Sequence, residues 1–156
     1  MAGAINMTEG AMATSLTNAV PKRLAVWLAA LVGAVVCVLA PLLFAPQQDG
    51  LWPLPGLYLM QIALVGVLAL VFVAAGWGLK AHWRWLPWAA AGILLAFVIL
   101  GGFSIGPFLS PAFVAFALVG ILVDWPDGGA MARHAGVLLV AAVAQAAVML
   151  LATLIA

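Results

Sequence analysis

The stretch LPWAAAGILLAFVILGGFSIGPFLSPAFVAFALVGILV, Leu86 to Val123, runs for 38 residues without a charge. As one α-helix, rising 1.5 Å per residue, it would be about 57 Å long, nearly twice the hydrocarbon core of a bilayer. It must therefore turn back on itself. Gly101-Gly102 loosens a helix, and Gly106-Pro107 is a turn dipeptide. Ser110-Pro111 reads as an N-cap serine followed by proline at the first helical position. Two spans result, about Leu86–Gly102 and Pro107 or Pro111 to Val123. Counted from Pro111 the second has 13 residues, about 20 Å, too short to cross unaided. Either Pro107 begins that helix, or the Gly/Pro-rich segment 101–111 dips into the membrane as a re-entrant turn.

The rest of the chain has the same character. Of 156 residues 69% are apolar, and only five basic and four acidic side chains carry a formal charge. A soluble domain is about 25% charged, so a water-soluble globular fold is excluded. The high apolar content also excludes intrinsic disorder, and the near-zero net charge excludes a nucleic-acid surface.

Three further uncharged runs match the roughly 20 residues of a crossing: Leu24–Phe44, Leu57–Leu79 and Ala135–Ile155. The second is entered through the turn-rich Pro46–Gly56. The first, at 21 residues, exceeds the roughly 7–15 of a cleavable signal's apolar region and reads as a retained span. The expected fold is an all-α integral membrane bundle of five transmembrane helices, or four if the 86–123 hairpin does not cross fully. Residues 1–23 are expected as a cytoplasmic N-terminal segment, and 24–156 as a single transmembrane domain. Residues 1–20 lack any basic side chain and fit either a disordered tail or a short surface helix.

With five spans and a cytoplasmic N-terminus, Lys22, Arg23, Lys80, Arg84 and Arg133 all fall on the cytoplasmic side, leaving Asp49 the single external charge. That is the positive-inside pattern, and it puts the C-terminus outside. The alanine- and glycine-rich composition suits a bacterial inner membrane. Trp27, Trp77, Trp83, Trp85, Trp88 and Trp125 cluster at the cytoplasmic boundary, with Trp52 and Tyr58 at the outer one. An interfacial aromatic belt accounts for them without a cofactor box around Lys80–Trp88.

No ionisable residue falls within any expected span, which argues against a proton-coupled transporter, a voltage sensor or a charged-ring channel. A pore lined by backbone carbonyls or an apolar gate stays open. Gln145, midway along the last span, needs a hydrogen-bond partner in lipid and is expected to face another helix. Gln61, near the outer end of the second span, is expected to reach interfacial water. Ala29 with Gly33, Ala30 with Ala34, and Ala142 with Ala146 place small residues four apart, a spacing that lets helix backbones approach. Cys37, the single thiol, forms no intrachain disulfide or metal site and is expected to be inert.

Catalytic patterns are weak. Gly102-Phe-Ser-Ile-Gly106 matches the nucleophile-elbow string, but that motif requires a strand-to-helix turn and a nearby base. Ser104 falls at the outer side, whereas His82 and His134 belong to the cytoplasmic side. About 30 Å would separate them, against about 3 Å for proton transfer. No catalytic residue and no enzymatic activity are expected. Both histidines read as exposed interfacial residues, and Asp124-Trp-Pro-Asp-Gly128 as a turn joining two spans, so neither a metal nor a cofactor is expected. The Gly101–Pro111 break resembles the interrupted segments whose free carbonyls bind substrates in transporters, although that rule wants a matching break in a second half. If a small ligand binds, Ser104, Ser110 and Gln145 are the candidate contacts.

The expected function is that of a small multi-pass membrane protein of structural or accessory type. Its partners would be the lipid bilayer and other membrane subunits or copies of itself, with no nucleic acid. The alternative is a small transporter or channel for a neutral or lipophilic solute, using the 101–111 break. A weaker alternative is a pigment- or haem-carrying subunit ligated by His82 or His134.

Overall fold

The computed structural model describes residues 3–44, 46, 54–74, 83–102, 104–125 and 127–155. Every regular element longer than one turn among them is an α-helix: α1 (Gly3–Phe44), α2 (Leu54–Ala74), α3 (Leu86–Leu100), α4 (Gly106–Asp124) and α5 (Gly128–Ile155). The segments 47–53 and 75–82, with Asp49, Trp52, Trp77, Lys80, His82 and the far end of the expected second span, lie outside the described residues. From Gly3 the N-terminal residues continue the helix of the first apolar run, so α1 passes unbroken through Pro21 and Pro41.

Three helical stretches are long and apolar enough to cross a membrane: Lys22–Phe44 of α1, α4 and α5. The apolar stretches of α2 (Gly56–Phe72) and α3 are shorter. Between α3 and α4 the chain reverses within Gly101–Ile105. The Gly101 N–H donates to the Phe97 carbonyl at 2.8 Å, and the Gly101 carbonyl accepts from Ser104 and Gly106 at 2.9 and 2.7 Å. The reversal is thus a tight turn, with α4 beginning directly after it. Nor is Ser110 an N-cap: it lies inside α4 and its hydroxyl donates to the Gly106 carbonyl at 3.4 Å. Pro107 already fills the first turn, where a missing N–H costs nothing. The earlier start also adds a turn of helix that buries Gly106 and Leu109.

Central to the bundle, α4 packs along α1 on one side and α3 on the other; α2 lies on α1, and α5 on α3. Close approach carries these crossings. A Cβ at Gly33 would lie 2.9 Å from the Phe116 ring of α4, and one at Gly66 would lie 2.5 Å from Cys37 Cβ of α1. A Cβ at Gly92 would collide with the Leu138 backbone carbonyl of α5. In a membrane, where hiding apolar surface gains nothing, dispersion between closely apposed backbones would hold such helices together. Two apolar clusters follow. One joins Cys37, Ile62, Leu94, Phe97, Leu109 and Phe116, the other Val26, Ala30, Phe72, Val119 and Val123. Cys37 is fully buried in the first. The rings of Phe44 and Phe108, 5.0 Å apart at 66°, close the α1–α4 seam at its far end.

Gly92→Ala should therefore push α5 off α3 and cost about 1–3 kcal/mol, the usual range for overpacking, read as a lower unfolding midpoint in detergent. Gly102→Ala, whose Cβ would come no nearer than 3.3 Å to the nearest atom, is the control and should stay within about 1 kcal/mol of the parent. Equal midpoints for the two variants would contradict this packing.

Candidate functional site

Along α4 the buried residues Leu109, Ala112, Phe116, Val119, Gly120 and Val123 recur every three or four positions, the spacing of one helix face. Asp124 extends that face by one more residue. It is the last residue of α4 and is fully buried, whereas the sequence suggested a loop position. A buried carboxylate must be compensated, and two neighbours do so. The Trp88 indole Nε1–H donates to Asp124 Oδ2 at 2.9 Å. His134 Nδ1 lies 2.7 Å from the same oxygen, so Nδ1 is the nitrogen that donates. Nε2, across the imidazole ring, then points away from the carboxylate, and the His134 side chain keeps 17% exposure.

Three helices supply this cluster. Trp88 stands in the first turn of α3, where it is buried rather than part of an interfacial belt. Its indole reaches Asp124 because Gly120 makes room; a Cβ there would lie 2.7 Å from the ring. His134 lies in the second turn of α5, which begins at Gly128 and not at Ala135. Asp127 caps that helix, its Oδ1 accepting the Ala130 N–H at 3.0 Å, the usual N-cap bond. So Asp124 and Asp127, three residues apart, serve different ends of different helices. A carboxylate at a helix C-terminus opposes the macrodipole, and the indole and imidazole donors offset that as well as the burial. Two buried atoms at this end lack a partner among the described residues: Asp124 Oδ1 and Arg84 Nε.

The sequence-derived candidates do not converge. Ser104 is exposed in the α3–α4 turn, its hydroxyl donating to the Gly101 carbonyl at 3.3 Å, and Ser110 is bonded to Gly106 one turn into α4. Gln145 is engaged elsewhere: its Nε2 donates to Gln61 Oε1 of α2 at 3.0 Å. The expectation that Gln145 faces another helix matches this bond, while Gln61 turns inward and not toward interfacial water. Nearby, the Tyr58 hydroxyl donates to the Met149 carbonyl at 3.1 Å. Residues 58 and 61 of α2 thus meet 149 and 145 of α5, an antiparallel pair of bonds between helices that otherwise barely touch. Ser104 and His134 stand at opposite ends of the roughly 28 Å α4, too far apart for the serine–base pairing of the G-x-S-x-G string.

Sequence reasoning passed over Asp124, His134 and Trp88 as a unit. The signal was present in the phase of the helices. Asp124 follows Gly120 and Phe116 at intervals of four, and His134 precedes Gln145 by three helical turns on one face of α5. Compared with family models, curated proteins and solved structures, the chain matches none.

His134→Ala strands a buried carboxylate and should cost about 3–5 kcal/mol of stability. Adding Asp124→Leu should recover much of that loss, because the uncompensated charge goes with it. A double-mutant cycle on unfolding midpoints checks this, and strict additivity would show that the pair is not coupled. Gln145→Leu should cost only about 0.6–1.7 kcal/mol.

Proposed function

We propose that the chain is a five-span membrane protein of accessory type that works by docking another membrane helix against α5. The supporting observation is Gly136. At four of the other helix crossings a glycine makes room for a neighbour of the same chain, but a Cβ at Gly136 would meet nothing within 4 Å. Glycine inside a helix costs about 1 kcal/mol relative to alanine, and nothing among the described residues requires it here. It sits on a helix of which only Ala130 is buried, followed by the exposed Val140, Val143 and Ala147. A second helix approaching that face explains a small residue where lipid alone would accept any apolar side chain.

Five crossings, with the N-terminus in the cytoplasm, fit both the packing and the charges. Although α3 has 15 residues, it runs antiparallel to α4 from the Trp88–Gly120 contact to its turn, and so accompanies α4 across. Arg84 and Arg133 adjoin the end that holds Asp124 and His134, and Lys22 and Arg23 adjoin it through Val26, which packs with Phe72, Val119 and Val123. This is the end the positive-inside rule assigns to the cytoplasm.

Single cysteines at Gly136, Val140, Val143 and Ala147, oxidised in native membranes, test the docking; Cys37 is buried and serves as a spectator. Disulfide-linked species whose mass adds a second copy or another polypeptide are expected at these positions. None is expected at Ala141, which faces Gly92 of α3. Free, fully alkylatable thiols with no adduct at all four positions would mean that lipid alone covers α5.

One observation favours the haem-carrying alternative as a second reading. A carboxylate that fixes the Nδ1–H tautomer leaves Nε2 as the ligating atom, the arrangement common around metal-bound histidines. Among the described residues no group of three ligating side chains is present, so the remaining donors would come from a macrocycle. On this reading hemin added to the detergent-purified protein gives a shifted visible band that His134→Ala abolishes; an unchanged spectrum rejects it.

A further inference from the structure

Opposite α5, the other side of α3 borders an apolar cavity of about 260 Å³. Ala69 and Phe72 of α2 form one wall, Leu86, Ala90 and Ile93 of α3 the other, and Phe116 of α4 the floor. The opening exists because α2 leans on α1 and makes little contact with α3. From Leu86 to Ile93 it extends about 10 Å along the helix, and its described lining side chains are all apolar.

Two basic residues lie close in the chain to residues at one end of this cavity. Arg84 stands two residues before Leu86, and its Nε is shielded from solvent with no acceptor among the described residues. A buried guanidinium N–H without an acceptor is costly, and the guanidinium fork matches a phosphate better than any other side chain does. Lys22, half-buried, lies one helical turn before Val26, which packs with Phe72 and Leu86. The only described anion at this end with a buried oxygen is Asp124, and its Oδ2 is taken by Trp88 and His134. An apolar slot about 10 Å long, with Arg84 and Lys22 within a helical turn of residues at one of its ends, has the two-part chemistry of one ligand class.

We propose that this cavity is a binding site for a single anionic phospholipid, one acyl chain lying between α2 and α3 and its phosphate on Arg84 and Lys22. Basic pockets between helices on the cytoplasmic side bind acidic headgroups in this way. The inference shares with the function proposed above only the membrane setting and the orientation; it uses a different face and does not depend on docking at α5.

The full chain, reconstituted in vesicles of phosphatidylcholine with a minor fraction of phosphatidylglycerol and then extracted in mild detergent, tests the site by native mass spectrometry of the retained lipid. Phosphatidylglycerol should be enriched over its share in the vesicle, with about one molecule per chain. Arg84→Gln should lower that enrichment about fivefold, the effect of one cation at a membrane surface, and Lys22→Gln should act in the same direction. Ala90→Phe, which fills the slot, should remove retained lipid of both headgroups. If that variant does not fold, Arg84→Gln still decides, because it leaves the apolar lining of the cavity unchanged. Retention of the two lipids in the vesicle ratio would overturn the proposal in favour of an unselective slot for any apolar molecule. Undiminished enrichment in Arg84→Gln would overturn the assignment of the phosphate. Unchanged lipid retention in Gly136→Ile, which blocks the α5 face, is expected and separates this site from the docking one.

Discussion

Close backbone approach is what the rest of this bundle depends on. In water, burying leucine against leucine would suffice to hold helices together; in lipid the same contact exchanges one apolar neighbour for another. The chain answers with glycine at the crossings. Gly33 admits the Phe116 ring, Gly66 lets α2 down onto Ala34 and Cys37, and Gly92 takes the Leu138 carbonyl. Each of these contacts involves backbone or a rigid ring, so the helices meet at fixed depths. The polar bonds are few, and they sit where packing alone leaves a gap. Tyr58 and Gln61 reach α5 across a space that the backbones do not close.

The polar cluster follows from the same economy of contacts. A chain with four acidic residues buries one of them completely, at the junction of α3, α4 and α5. Asp124 is held there by donors from the two helices that flank α4 in the chain, Trp88 of α3 and His134 of α5. A buried ionic group of this kind contributes little net stability compared with well-packed apolar residues. It ties three helices together at one point, because Asp124 Oδ2 meets Trp88 Nε1 of α3 and His134 Nδ1 of α5 at once.

Much of the architecture was legible in the sequence, and the reasons differ by element. The α3–α4 hairpin followed from an uncharged run too long for one crossing, and its turn from Gly101, Gly102 and Gly106. The exact start of α4 was not legible, because Pro107 and Pro111 both qualify as first-turn prolines and only tertiary burial of Leu109 chooses between them. Gln145 announced its need for a partner, but no local feature of Gln61 marked it as that partner. Asp124 was misplaced because its neighbours Trp125, Pro126 and Asp127 have turn chemistry, whereas the periodicity that places it belongs to the preceding fifteen residues. Composition pointed to apolar helices and identified no ligand, since the cluster is assembled from three different helices.

The short connections at both ends of α4 bear on how the protein enters its membrane. Gly101–Ile105 joins α3 to α4, and only residues 125–127 separate α4 from α5. In the proposed orientation α3 and α4 would leave the translocation machinery as one closed hairpin. Asp124, at the trailing end of that hairpin, would remain on the side of synthesis and never traverse hydrocarbon. Its imidazole partner is the tenth residue to emerge after it, so the carboxylate would wait only for the second turn of α5 before being neutralised. Biogenesis and the buried charge would thereby be compatible: in that orientation the buried carboxylate would be assembled where water is still at hand.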